Sequence, residues 1–480
     1  MKKVIYKMLV LSLVIGGFTS CDDELDQLPF DEFATDNAFV TSEDFENAIR
    51  GTYSALIDNP EFVALYSSSD AGSMLSAPDV LSDNVTLSQS GRTTKSILHN
   101  WRYTPAGGSV GGMYRGAYRL IFRANQLLFY AENYEGENKA NIVAEAKALR
   151  ALAHFNIVSY YGKIPTQSGD ANGSLGVAYV TENNPEIEPA RETVGVVYDK
   201  IVTDLTEAVA DINDVNPAGR MGKEAVNLLL SRVYLYMGQW QNAINAANQV
   251  TTPVAPRADV VGVWEDTSDS GLVFSIPNES GTLGNNIGVT WSQGGINSLV
   301  PEYVASFELT NLYAADDIRK DAYIFLGVAD GDPVNGIKKL LGRPNNTDGI
   351  VDYKIFRAAE AQLNKAEAYY NLGNESAART ALDAVRTRRY TTPPSGETGT
   401  ALRDAIRLER RLEFAFEYQR FFDLKRWGLS ITRTSDGDNA DGSGTPSEEL
   451  NLPAGSYKFQ LPFDQISIDK NPNLVQNPGY

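Results

Sequence analysis

Two stretches of this chain repeat one another, and that repeat limits the folds open to it more than any other feature. "SRVYLYMGQWQNAINAANQV" begins at Ser231 and "AEAYYNLGNESAARTALDAV" begins at Ala366. Tyr234, Gly238 and Ala243 of the first match Tyr369, Gly373 and Ala378 of the second at identical offsets. A tyrosine, a turn glycine and a small residue on the returning segment form the pattern of a tetratricopeptide-type helical hairpin. The glycine ends the first helix, and the small residue lets the second helix pack closely. A third, half-formed unit, "AKALRALAHFNIVSYYGKIP", runs from Ala146 to Pro165.

Other segments carry the same helical signal. Thr41 to Asp44 ("TSED") reads as a capping box before an amphipathic run to about Leu56. Met113, Ala117, Leu120, Ala124 and Leu127 recur at spacings of four and three, as do Ile142, Ala146, Leu149, Ala153 and Ile157, and again Val197, Ile201, Leu205, Ala208 and Ile212. Each set is one apolar stripe that requires a partner helix. Between residues 251 and 350 the texture changes. Gly and Asn become frequent ("SGTLGNNIGVTWSQGG"), and only short runs such as "GLVFSIP" read as strands. The expected fold is therefore mainly α, a tetratricopeptide-like helical scaffold with a loop-rich insertion and a few short strands. The expected divisions are 1–20, 21–40, 41–250, 251–350 and 351–480, with the insertion as the place for binding residues. A second polar segment, "SDGDNADGSGTPSEEL" from Ser435 to Leu450, reads as a mobile loop.

The N-terminus answers a different question. Lys2, Lys3 and Lys7 precede an apolar run from Met8 to Phe18, then Thr19, Ser20 and Cys21, the only cysteine. The run has the layout of a secretory signal and is too short to span a bilayer. A lone cysteine forms no intrachain disulfide and no structural zinc site. At that position it resembles the acylated cysteine of a bacterial lipoprotein, so residues 1–20 read as the signal peptide and Cys21 as the lipidation site. Asp22, Asp23 and Glu24 follow, a run that resembles the surface-export signal of Bacteroidetes lipoproteins, and they open an acidic linker to residue 40. The formal charge is −19, with no basic block, which disfavours a nucleic-acid partner.

The C-terminal part is the most specific. "LERRLEFAFEYQRFFDLKRWG", Leu408 to Gly428, and the ending "LPFDQISIDKNPNLVQNPGY" resemble the signature of the SusD/RagB family of outer-membrane nutrient-binding lipoproteins. "FRAAEAQLNKAEAYYNLGN", "NIVAEAKALRALAHFNIVSYYGKIP" and "WRYTPAGGSVGGMYRGAYRLIFRANQLL" are similar to its other segments, in family order, while Leu461-Pro462-Phe463 replaces the more usual Pro-Ile-Pro. The resemblance implies a cell-surface, lipid-anchored protein that captures polysaccharide fragments through surface loops. It also implies a SusC-like TonB-dependent transporter as partner, to which the ligand is passed, and no catalysis or cofactor. Two other readings stay open from the residues: a surface glycoside-processing enzyme, and a tetratricopeptide scaffold that binds peptides.

Charged residues of the signature, Arg410, Glu413, Glu417, Arg420, Asp423 and Arg426, lie at helical spacings of three and four and read as ion pairs along one face. No G-x-S-x-G elbow, P-loop or H-E-x-x-H motif is present. His154, next to Phe155 on a stripe-bearing segment, reads as packed, and two histidines far apart give little support for a metal site. "DGDNADG", from Asp436, hints at a calcium loop, but Asp441 and Ser447 stand where an EF-hand needs its glycine and its bidentate glutamate. Sugars offer apolar C–H faces and hydroxyl edges, so exposed aromatic rings beside polar groups would bind them. Trp240 and Trp427 fall inside helix-packing motifs and read as core. That leaves Trp291, flanked by "NNIGVT" and "SQGG", then Trp264 and Trp101, with Tyr66 and Tyr313 as additions.

Overall fold

The computed structural model describes residues 38–57, 64–67, 73–107, 110–279, 284–293 and 300–480. Cys21, the leader before it and most of the acidic linker lie outside the described residues. Among the described residues no helix is long and apolar enough to cross a membrane.

Helix α1 (Ser42–Tyr53) opens with the expected capping box. The Thr41 hydroxyl accepts from the Asp44 N–H at 3.2 Å, and the Asp44 carboxylate accepts from the Thr41 N–H at 2.7 Å. The scaffold follows: α2 (Gly112–Ala131), α3 (Lys139–Tyr161), α4 (Val194–Asp211), α5 (Lys223–Met237), α6 (Trp240–Ala247), α7 (Ala358–Asn371), α8 (Glu375–Arg386), α9 (Gly399–Glu413) and α10 (Arg420–Arg426). From α2 to α9 each helix packs on the next, which makes one layer of stacked hairpins. The apolar stripes seen in the sequence face into it: Met113, Leu120, Ile142, Leu149, Val197, Ile201 and Leu205 are fully buried. The α5–α6 and α7–α8 hairpins are the two repeated units. Gly238 and Gly373 turn them with φ of +71° and +77°, a conformation a side chain strains. A Cβ on Gly238 would also lie 3.2 Å from Thr166 Cγ2. Ser231 Oγ donates to the Ala243 carbonyl at 2.9 Å and closes the α5–α6 hairpin, and the buried pair of Arg232 with Glu360, 2.6 Å from Nη2 to Oε2, locks it to the α7–α8 hairpin.

The remaining segments fold onto this layer. Strands β1 (Val85–Leu87), β3 (Tyr303–Ala305), β4 (Ile324–Ala329) and β5 (Asp332–Ile337) form an antiparallel sheet in the order β1-β3-β5-β4, with Val85 opposite Ala305 and Ile324 opposite Ile337. The "GLVFSIP" run forms β2 (Leu272–Ile276), antiparallel to β6 (Tyr353–Arg357) with Ile276 opposite Tyr353. The sheet thus joins a strand from before α2 to three strands lying between α6 and α7.

The signature charges form ion pairs, as their spacing suggested, but the pairs are buried and most partners come from elsewhere in the chain. Only Asp423 and Arg426 pair within one helical turn, at 2.8 Å. Glu413 meets Arg389 and Arg357, each at 2.8 Å, and Arg420 meets Asp83 at 2.7 Å. Lys425, also buried, has no carboxylate partner among the described residues; its ammonium donates to the carbonyls of Ser159 and Gly162 at 2.7 and 2.8 Å. It therefore satisfies the carbonyls that the buried end of α3 leaves free. The segment 435–450, expected to be mobile, is tied down instead. Asp438 is buried and accepts from the Gln89 and Thr445 N–H groups at 2.9 and 2.8 Å, and the buried Ser447 hydroxyl meets His99 Nε2 at 2.9 Å. Its polar residues are spent on these internal bonds, which composition does not reveal.

His154 is packed in α3 as a neutral ring of defined tautomer. Nδ1–H donates to the Arg150 carbonyl at 2.9 Å, and Nε2 accepts the Val180 N–H at 3.1 Å. Burial pushes its pKa down to about 3, from 6.5. A depressed folded value means the stability it confers is complete above pH 6.5 and is lost as pH falls toward 3. At about 1.4 kcal/mol per unit, roughly 3 kcal/mol should disappear between pH 6.5 and pH 4. Urea unfolding across that range should show the loss, and His154→Gln should flatten the profile; parallel profiles would assign the acid lability to other groups.

Candidate functional site

The five rings singled out in the sequence are all inside the protein, which corrects their reading as exposed stacking platforms. Trp291 is 1 % exposed, held edge-on to Phe416 with ring centroids 5.8 Å apart. Trp264 is covered by the ammonium of Lys339, 4.4 Å from its centroid, and by the edge of Tyr323. Trp101 lies under Arg433 at 4.1 Å and donates its indole N–H to the Leu81 carbonyl. Tyr66 is buried beside Tyr418, and Tyr313 is buried with its hydroxyl donating to the Leu412 carbonyl at 3.0 Å. The polar neighbours of these residues suggested exposure, yet long-range packing covers every one.

Among the tryptophans, the two that remain partly accessible are those assigned to packing. Trp240 and Trp427 are both partly exposed and line one cleft of about 310 Å³, together with Thr166, Tyr370, Asn371 and α9 residues. That volume is at the small end of ligand pockets, which span about 300–1,000 Å³. Trp240 comes two residues after the turn Gly238, where the second repeat carries Glu375 after Gly373. The turn thus presents it at the seam between the α5–α6 hairpin and α7. Arg403, Ile406 and Arg407 sit at spacings of three and four on α9 and share one face toward the cleft. Tyr370 and Asn371 close the C-terminal end of α7, and Trp427 follows α10 directly.

Hydrogen bonds fix the floor and leave one ring open. The Glu367 carboxylate accepts from Arg426 Nη2 at 2.6 Å and from the Trp427 indole N–H at 2.8 Å. Burial opposes ionisation of Glu367, but Arg426, with Arg410 behind it, outweighs burial and holds the carboxyl below its usual range. Guanidinium groups of Arg407 and Arg426 lie 4.7 and 4.8 Å from the Trp427 ring centroid, so that ring is a clamped wall. Among the described residues no aromatic ring or cation stacks on Trp240. Thr166 contributes to the lining, but its hydroxyl is buried without a hydrogen-bond partner. An open indole beside amide and guanidinium groups can hold the apolar face of a pyranose and bond its edge.

Two other depressions fit that chemistry less well. One, of about 560 Å³ beside Arg220 and Glu224, has no aromatic residue in its lining. The other, of about 410 Å³, holds Tyr114 and Tyr118, whose rings pack on each other at 4.7 Å, and the Tyr118 hydroxyl is used by the Ala178 carbonyl. The sequence offered one signal for this cleft, the Arg403–Arg407 spacing on an amphipathic helix, and the tetratricopeptide pattern masked Trp240.

Comparison with known proteins places this architecture. Residues 338–480 match the profile described as the SusD family, and residues 36–235 match that described as starch-binding associating with outer membrane. A SusD-like protein of Formosa agariphila is 24% identical over 560 residues, spanning 99% of each chain. One of Bacteroides ovatus is 26% identical, covering 88% of this chain and 82% of its own. Among solved structures, a SusD superfamily protein from Bacteroides vulgatus superposes with a TM-score of 0.79 at 24% identity, over 92% of this chain and 100% of that one. A SusD-like carbohydrate binding protein from the same species gives 0.77 at 20% identity, over 91% and 98%. At these identities the structural likeness establishes the fold, and the two profiles flank it along the sequence. With its stacked helical hairpins, inserted strands and C-terminal charge network, the chain belongs to the SusD/RagB family.

Proposed function

We propose that this protein is a cell-surface lipoprotein that captures glycan fragments in the Trp240–Trp427 cleft and passes them to a SusC-like TonB-dependent transporter. The observation that carries the capture step is the open Trp240 ring beside Thr166, Asn371 and the α9 arginines. The family description, starch-binding in association with the outer membrane, supports the ligand class and the location. Cys21 is the residue proposed to carry the lipid, with two acyl chains sufficient for stable attachment. Cys21→Ser should then move the protein out of the membrane fraction.

Binding without hydrolysis is the reading the cleft favours. A glycosidase requires two carboxylates, about 5–5.5 or 6.5–9.5 Å apart, one of them able to give up a proton. Glu367 is the one carboxylate in the cleft lining, and Arg426 and Trp427 keep it ionised and engaged. Soluble protein from residue 22 onward should be retained by members of a polysaccharide panel without generating reducing ends. Trp240→Ala should weaken retention by about 1–3 kcal/mol, the scale of an aromatic anchor, with little change in thermal midpoint. Released sugar would make the protein an enzyme, and retention of peptides but no glycan would make it a peptide scaffold. Recovery from detergent-solubilised membranes without any transporter would remove the partner.

A further inference from the structure

We propose that the Trp240–Trp427 cleft takes a sugar unit carrying an anionic group, a carboxylate or a sulfate, whose charge is met by Arg407. The proposal rests on the cleft being the glycan site. Three guanidinium groups line that cleft, and two are already used. Arg426 is held by Glu367 and Asp423, and Arg403 by Asp404 at 2.9 Å. Arg407 has no carboxylate within ion-pair distance among the described residues; its contact is the Trp427 ring at 4.7 Å. It is half-buried; burial lowers its pKa, the more distant carboxylates of Glu367 and Asp404 oppose that, and the like charges of Arg403 and Arg426 add to the lowering. An arginine keeps its proton under such pressure. A partly desolvated cation beside two others gains more from an incoming anion than a solvated one does, and a guanidinium fork matches the two oxygens of a carboxylate or sulfate.

The charge of the whole chain sharpens the argument. At −19 the protein repels anionic ligands in general, so an anion would need a local cation such as Arg407, which stands beside the open indole without a carboxylate partner among the described residues. Trp240 supplies the face for the sugar ring, and Asn371 supplies an amide beside its edge.

The test uses single sugars, because the cleft has room for about one unit. Methyl glucuronide, methyl galacturonide, their neutral glucoside and galactoside counterparts, and glucose 6-sulfate are titrated by calorimetry and saturation-transfer NMR. Wild type, Trp240→Ala, Arg407→Gln and Arg407→Lys are compared, with thermal midpoints confirming that each is folded. At least one anionic sugar should bind about tenfold more tightly than its neutral counterpart. Added salt should erode that gain. Arg407→Gln should cut the ratio of anionic to neutral binding to within about twofold, and Arg407→Lys should keep part of it. A gain confined to the sulfate, or to the uronides, assigns which anion the cation serves. Equal binding of charged and neutral sugars, weakened by Trp240→Ala, overturns the anionic preference and leaves the cleft as the glycan site. Binding that neither variant alters overturns both, and so does absence of binding by every sugar.

Discussion

Glu413→Ala should cost about 3–5 kcal/mol of stability, or prevent folding outright, because it strands a buried cation. Glu413 is completely buried, and its two oxygens accept from Arg389 at 2.8 and 2.9 Å, from Arg357 at 2.8 Å and from Arg319 at 3.3 Å. Burial by itself would push the carboxyl up, yet Arg389 and Arg357 outweigh it and keep Glu413 well below the usual carboxylate range. When it is removed, the three arginines fare differently. Arg319 retains Asp317 at 2.7 Å, and Arg357 retains Glu417. Arg389, 1 % exposed, has no other carboxylate within ion-pair distance among the described residues and keeps only the carbonyls of Ala255 and Arg388. Loss on that scale is a large fraction of the roughly 5–15 kcal/mol that holds a typical domain together. Glu207→Ala is the matched control. Glu207 meets Lys147 at 2.6 Å with its side chain 52% exposed, so its removal should change stability by less than about 1 kcal/mol. Urea midpoints for the two variants decide the matter; equal, small shifts would mean the buried cluster is energetically neutral.

Trp291→Ala should lower stability by about 3–5 kcal/mol, the range for emptying a large aromatic site. Its ring is buried against Phe416, and its backbone carbonyl receives the Glu302 N–H at 2.8 Å, which ties residues 290–292 to the segment leading into β3. The indole N–H finds no acceptor among the described residues. Trp291→Phe deletes that unpaired donor while refilling most of the space, so it should cost clearly less than the alanine change. A Trp291→Ala protein with an unchanged unfolding midpoint and reduced glycan affinity would restore this ring to a surface role.

Trp291 and Trp240 together show where a reading by local composition stops. Trp291 stands among Asn, Gly, Ser and Gln, and Trp240 stands inside a helix-packing motif, so neighbours in sequence pointed the first outward and the second inward. The structure buries the first, and leaves the second packed against the core with part of its ring open. Phe416, remote in sequence, covers Trp291, while the seam between two hairpins leaves the side of Trp240 uncovered. Solvent exposure is a property of which surfaces meet, and the residues that meet are rarely neighbours in the chain.

What the sequence determined by itself is the local and periodic part of this protein. The capping box at Thr41, the stripes of α2, α3 and α4, the twin hairpins turned at Gly238 and Gly373, and the β2 strand all follow from interactions within a few residues. Backbone sterics and the 3.6-residue period act over that distance, so they can be read directly. The signature charges show the limit: their pairing was legible, but neither their burial nor the partners of Glu413 and Arg420 were, because Arg319, Arg389, Arg357 and Asp83 arrive from other elements. Only the tertiary structure decided those pairings, the pinning of residues 435–450 through Asp438, and the position of the cleft. Each depends on how stacked hairpins fill one another's grooves, and a lone helix face holds no record of which surface will lie against it.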